Sequence, residues 1–260
     1  MKQIRTGVAA FIFIFFSLTA QHALAKDEVV FKSGVSQNTF IELYTSDSNV
    51  NGNPVLEWMS DLKQKEASLG VWANVVAISM HVNLWDVPGY KDSFARKPFD
   101  ERLLSFKKKW SARNVYCPTM IVNGVEWSGW SRGQPIPVQA EKKAGELVAD
   151  GTKQEGAFEI SFTPEGTLGE GPFTIHGTLV AFGLKSKPSE GKNRGKSLQH
   201  DFVVMLYRAQ DLRLSYGKWI TTLELVRPKA MRAPKFAAVF WVTKKDDPQA
   251  LQAVGGYLPL

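Results

Sequence analysis

The spacing of apolar positions changes several times along this chain, and each change predicts an element. Residues 39–44 are a short, mostly apolar run, the length of a buried strand. Val55, Leu56, Met59 and Leu62 then recur at helical spacing behind Pro54, whose missing N–H suits a first helical turn, and Gly70 closes the segment. Residues 72–82 are apolar nearly throughout, as in a strand covered on both faces. A loop over 83–93 follows. Leu103, Phe106 and Trp110 then mark one face of a helix over about 98–112. Residues 119–122 read as a strand, and Asn123-Gly124 tolerates the positive φ of a tight turn, so 125–127 should pair back antiparallel. Residues 135–150 read as another helix.

The second half has a different texture. Phe158, Ile160 and Phe162 alternate with Glu159 and Ser161, the period of a half-buried strand. Further strands are predicted at 173–182, 199–208, 219–226 and 236–243, separated by Gly- and Pro-rich turns, with a helix only at 247–254. The element order of the first half, β-α-β-α-β-β-α, is that of a thioredoxin-like unit. The expected class is therefore α+β. A thioredoxin-like domain over 26–152, with a central mixed sheet flanked by helices, is followed by a β-rich, sandwich-like domain over 153–260.

Residues 1–25 read as a signal peptide. Lys2 and Arg5 precede an apolar core of about a dozen residues, and Ala23-Leu24-Ala25 fits an A-x-A cleavage signal. That core is shorter than the roughly 20 residues of a spanning helix, so no transmembrane anchor is expected after cleavage. The expectation is a periplasmic or secreted bacterial protein. The net charge of +7 falls to +5 without Lys2 and Arg5. Lys107-Lys108-Lys109 is the densest basic spot, and a solvated helix face explains it more simply than nucleic-acid binding.

Cys117 is the one cysteine, so no intramolecular disulfide can form. In an oxidising compartment it must be buried, reactive or paired with another molecule. No Cys/His spacing supports a zinc site, and neither a metal nor a cofactor is expected. There is no G-x-S-x-G elbow, phosphate loop or dinucleotide fingerprint. The turn from the first strand to the first helix, 47–53, holds no cysteine where a redox unit of this order carries Cys-x-x-Cys.

Three segments, 42–46, 79–86 and 115–124, together with 192–201, resemble in order and spacing a family of secreted bacterial proteins of unknown function (domain of unknown function, number 1223). The resemblance covers about 39–245 and implies a thioredoxin-like half followed by a β-rich half. Members often carry two cysteines in the first turn; they fall here on Asn49 and Gly52. A usual aspartate is Asn83 here, and the usual threonine before the loop proline is Cys117. The chain is thus a degenerate member lacking the Cys-x-x-Cys pair. The resemblance implies a cis bond at Pro118 beside the vacated site, where backbone groups offer strand-like pairing to a peptide.

The expected function is a redox-inactive module of the cell envelope that binds a peptide or protein. Its ligand-binding residues would be Asn49, Gly52, His81, Trp85, Asp86, Cys117 and Pro118. The alternative is a single-thiol enzyme, for thiol–disulfide or thiol-transfer chemistry, with Cys117 and His81 as catalytic candidates. Each candidate also has a plain structural reading. Cys117 could be inert filling, and His81 with Asn83, Trp85 and Asp86 could anchor a loop. His200-Asp201 either reaches the first half or stabilises a turn. Trp127 and Trp130 are core or line a ligand face.

Overall fold

The computed structural model describes residues 29–48, 52–138, 141–166 and 170–259. The leader read at 1–25 and Asn49 lie outside the described residues. In chain order the elements are β1 (Val30–Lys32), β2 (Thr39–Thr45), α1 (Gly52–Gln64), α2 (Glu66–Leu69), β3 (Val75–His81), α3 (Lys97–Lys109), β4 (Thr119–Val122), β5 (Val125–Glu126), β6 (Gly145–Gln154), β7 (Ala157–Pro164), β8 (Phe173–Phe182), β9 (Leu184–Ser186), β10 (Leu198–His200), β11 (Val203–Asp211), β12 (Arg213–Ser215), β13 (Lys218–Glu224), β14 (Lys235–Lys244) and β15 (Ala250–Tyr257). The fold is mixed α/β and mostly strand. No helix among the described residues is long and apolar enough to cross a membrane.

One eight-stranded sheet, in the order β15-β14-β8-β11-β3-β2-β4-β5, runs through both halves of the chain. β2 and β3 are parallel and joined through α1, with Thr45 level with His81. β4 lies antiparallel to β2, with Tyr44 level with Thr119. On the other flank, β11 adds parallel to β3, Val203 meeting Ser79. A second sheet, β1-β6-β7-β13-β12, packs on the far end of the first. Leu147, Ile160 and Phe162 of the second sheet share a core with Phe173, Phe240 and Val254 of the first. β2, β3, α1 and α3 share the other core, where Val55, Leu56, Met59, Leu62, Leu103 and Phe106 are buried at the predicted spacing.

Two predicted helices are strands. Residues 135–150 were expected to be helical, yet β6 occupies Gly145–Gln154 and pairs with β1 and β7. Burial alternates along Gly145–Asp150, so pairing on both edges outweighs local helix propensity. Likewise 247–254 gives way to β15, paired with β14. A Cβ at Gly255 would come within 2.7 Å of the Ala238 carbonyl oxygen, so close strand approach explains the glycine. The boundary expected between 152 and 153 falls inside β6, and the part of β6 before it pairs with β7 beyond it. The β-rich half therefore shares the second sheet with β1 and β6 of the first.

Candidate functional site

Asp47 and His81 arrive together because β2 and β3 end level with each other. Side chains alternate along a strand, so the residue two beyond Thr45 lies on the face of His81. The loop after β3 returns Tyr90 and Asp92. From the second half, β10 pairs with β9, bringing His200 and Ser186 to the same place. Asp47, His81, Asp92 and His200 have side chains with no solvent exposure.

His81 Nδ1 lies 2.7 Å from Asp92 Oδ2, which also accepts the Asp47 N–H at 2.9 Å. Tyr90 donates its hydroxyl to Asp47 Oδ2 at 2.8 Å. His200 Nε2 meets Ser186 Oγ at 2.8 Å. Asp47 Oδ1 stands 3.7 Å from His81 Nδ1 and 3.5 Å from His200 Nε2, and makes no hydrogen bond. His81 Nε2 and His200 Nδ1 are also buried without a hydrogen bond. Such a concentration of unsatisfied polar atoms calls for an explanation.

Burial and the contact with Asp92 oppose each other at His81, and the carboxylate wins, raising the imidazole pKa. Burial likewise works against the Asp92 charge, but His81 beside it more than offsets this and the carboxyl is held below its usual range. His81 and Asp92 thus each favour the other's charged form. Burial, with the charge of His81 adding to it, pushes His200 down to about 3, so this ring is neutral. Burial and the neighbouring Asp92 charge raise Asp47.

The cluster joins the two halves, and its surroundings reinforce the junction. Asp201 accepts hydrogen bonds from Ser60 Oγ and Lys63 Nζ of α1, each at 2.8 Å, and from the Gly183 N–H. Asn193 Nδ2 donates to the Asp47 carbonyl at 2.9 Å, drawing the polar 187–196 loop over the end of β2. Of the two readings open for His200-Asp201, the contacts are those of a residue pair reaching the first half.

The predicted site residues divide into interior and surface. His81 is 1% exposed and Cys117 is 7% exposed, while Tyr116 is 52% exposed. Trp85, Asp86 and Pro118 are half-buried, and Gly52 opens α1. The Cys117–Pro118 bond is cis. His81 and Cys117 do not share a flank. His81 ends β3 on one side of β2, and Cys117 leads into β4 on the other, roughly two strand spacings or 10 Å of backbone away. Asn83 anchors the loop after His81, its N–H donating to Asp100 Oδ1 at 2.8 Å. Trp127 packs edge-on against Trp58 of α1, 5.7 Å between ring centroids. An open groove of about 320 Å³ runs between α1 and β10, lined by Asn53, Ser60, Asp61 and Gln199.

Sequence reasoning missed Asp47, Tyr90, Asp92 and Ser186. Their partners are distant in sequence, and only the loop path after β3 brings Asp92 onto His81. No local spacing signals such a meeting.

This architecture defines a β-rich, mixed α/β protein with a buried His/Asp junction at the ends of two parallel strands. The chain belongs to the family described as protein of unknown function (DUF1223), matched over residues 40–243. It is similar in fold to an X-ray crystal structure of an Agrobacterium tumefaciens protein, at 20% identity and TM-score 0.55, over 86% of this chain and 95% of that one. It is also similar to HBP35 of Porphyromonas gingivalis, at 11% identity and TM-score 0.52, over 87% of this chain and 76% of that one. No curated protein matches it.

Proposed function

We propose that this chain is a thioredoxin-like protein of the cell envelope that works by binding a peptide or protein segment and has no dithiol chemistry. The strand order β3-β2-β4-β5, with α1 between the parallel pair, supports the thioredoxin-like reading. The observation that carries the functional reading is the contrast between Tyr116, 52% exposed, and Cys117, 7% exposed. The chain offers surface and backbone at this position and keeps its one thiol inside. Trp85 and Asp86 on one flank of β2, and Tyr116 and Pro118 on the other, are the contact residues in this reading. His81 supports that surface from beneath. The leader read at 1–25 puts the protein outside the cytoplasm; N-terminal sequencing of the protein recovered from cells should begin at Lys26.

The test is selection of phage-displayed random peptides on the mature protein. Enriched peptides should lose at least about tenfold in affinity with Tyr116→Asp and with Trp85→Ala. Leu214→Ala, an exposed position in the second half, should leave binding unchanged. Failure to enrich any peptide, or binding indifferent to Tyr116 and Trp85, would contradict the reading.

A further inference from the structure

We propose that Asp47, His81 and His200 form a binding site for one divalent transition-metal ion of the zinc class, which ties the two halves of the chain together. Their three ligand atoms lie within 4.8 Å of one another, and all three residues are buried. Asp47 Oδ1 has no hydrogen bond and faces both imidazole nitrogens, at 3.7 Å from His81 Nδ1 and 3.5 Å from His200 Nε2.

Those gaps decide between two kinds of bonding. They exceed the roughly 2.7–3.2 Å of a hydrogen bond, so a proton on Oδ1 reaches neither nitrogen. They are close to the edge of a tetrahedron around zinc, about 3.3 Å for ligand bonds of about 2.0–2.1 Å. The two edges from Asp47 Oδ1 need contract by only a few tenths of an ångström, and the two imidazole nitrogens, within 4.8 Å of each other, close in by rotation of the rings onto the ion. Two imidazoles with one carboxylate suit zinc, cobalt or nickel better than calcium or magnesium, which take oxygen donors.

On binding, His81 Nδ1 and His200 Nε2 each give a lone pair to the ion, and the proton on His81 Nδ1 leaves to solvent. Asp92 Oδ2 and Ser186 Oγ, which meet the same two nitrogens, are at hand as a fourth donor. No redox step is involved. The charge balances, since a divalent ion offsets the Asp47 and Asp92 carboxylates with both rings neutral. The site is closed to solvent, the character of a structural metal centre. Its three ligands come from the end of β2, the end of β3 and β10, so the ion would act as a clasp between halves. The inference stands apart from the reading of the Tyr116–Pro118 surface.

The experiment uses tag-free mature protein, unfolded, stripped with EDTA and refolded with or without Zn2+, then desalted. The expected result is about one zinc per chain by plasma mass spectrometry and a melting temperature several degrees above that of the stripped protein. Asp47→Asn and His200→Gln should hold no zinc and show no such rise. Refolding the wild type with Co2+ should give a strong visible absorption band from tetrahedral, nitrogen-ligated cobalt, which decides the matter even where a variant fails to fold. Wild-type protein that retains no zinc, melts at the same temperature with and without it, and shows no cobalt band would overturn the proposal.

Discussion

Arg102 Nε lies 2.6 Å from Glu42 Oε1, with the two side chains 6% and 1% exposed. The same guanidinium donates from Nη2 to the Pro248 carbonyl at 2.8 Å, so α3, β2 and the approach to β15 meet at one charge pair. Glu42 Oε1 also accepts the Tyr44 hydroxyl at 3.2 Å while Oε2 has no hydrogen bond, so Arg102 supplies the countercharge of this carboxylate. Arg102→Met should destabilise the protein by about 3–5 kcal/mol, because it leaves a buried carboxylate without its countercharge. Glu42→Leu combined with Arg102→Met should recover most of that loss. Urea unfolding of both variants checks this; equal losses in the two would contradict it.

His176 gives the pH dependence a sign. It stacks on Trp241 at 5.0 Å and bonds to Tyr207 and Thr243 through its two nitrogens. Burial, and then the nearby Arg102 charge, hold its pKa well below the ordinary value. The unfolded chain takes up this proton near pH 6.5 and the folded chain does not. Stability is therefore intact above about 6.5 and falls on acidification, by up to about 1.4 kcal/mol per pH unit from this group. His200 acts in the same direction, and the raised pKa of His81 acts against both. The check is the urea midpoint of wild type and His176→Gln between about pH 7 and 5. The variant should lose less stability on acidification than the wild type; parallel slopes would contradict the assignment.

The 187–196 loop should depend on Asn193. This residue is 1% exposed and donates to the Asp47 carbonyl. Gly191, at φ +79°, takes the left-handed backbone that favours glycine and lies in ordinary contact distance of Ser48. Asn193→Ala should cost about 1–3 kcal/mol, the usual range for stranding a buried polar group. It should also speed amide hydrogen exchange through 187–196. Unchanged exchange there would mean the loop is held by other contacts.

These residues also show what the sequence could and could not reveal. Helical spacing found the buried faces of α1 and α3, and the continuous apolar runs found β2 and β3, because each pattern reflects burial within one element. The helices expected at 135–150 and 247–254 failed because their partners lie elsewhere. β6 is fixed by β1 and β7, and β15 by β14. Cys117 and His81 were visible as chemistry-bearing residues, but β2 stands between them. Asp92 and Asp47 carried no signal, since the cluster exists only once three distant segments converge.

The central claim is that this frame binds without thiol chemistry, and the reactivity of Cys117 tests it most directly. Iodoacetamide should be added to native mature protein over a range of pH, with unfolded protein as the reference. The account predicts labelling many-fold slower in the native protein, rising to the reference rate only on unfolding, as for a buried thiol. Rapid native labelling with a midpoint well below the free-thiol value of about 8.5 would mean an accessible, activated thiolate, and would favour a single-thiol enzyme instead.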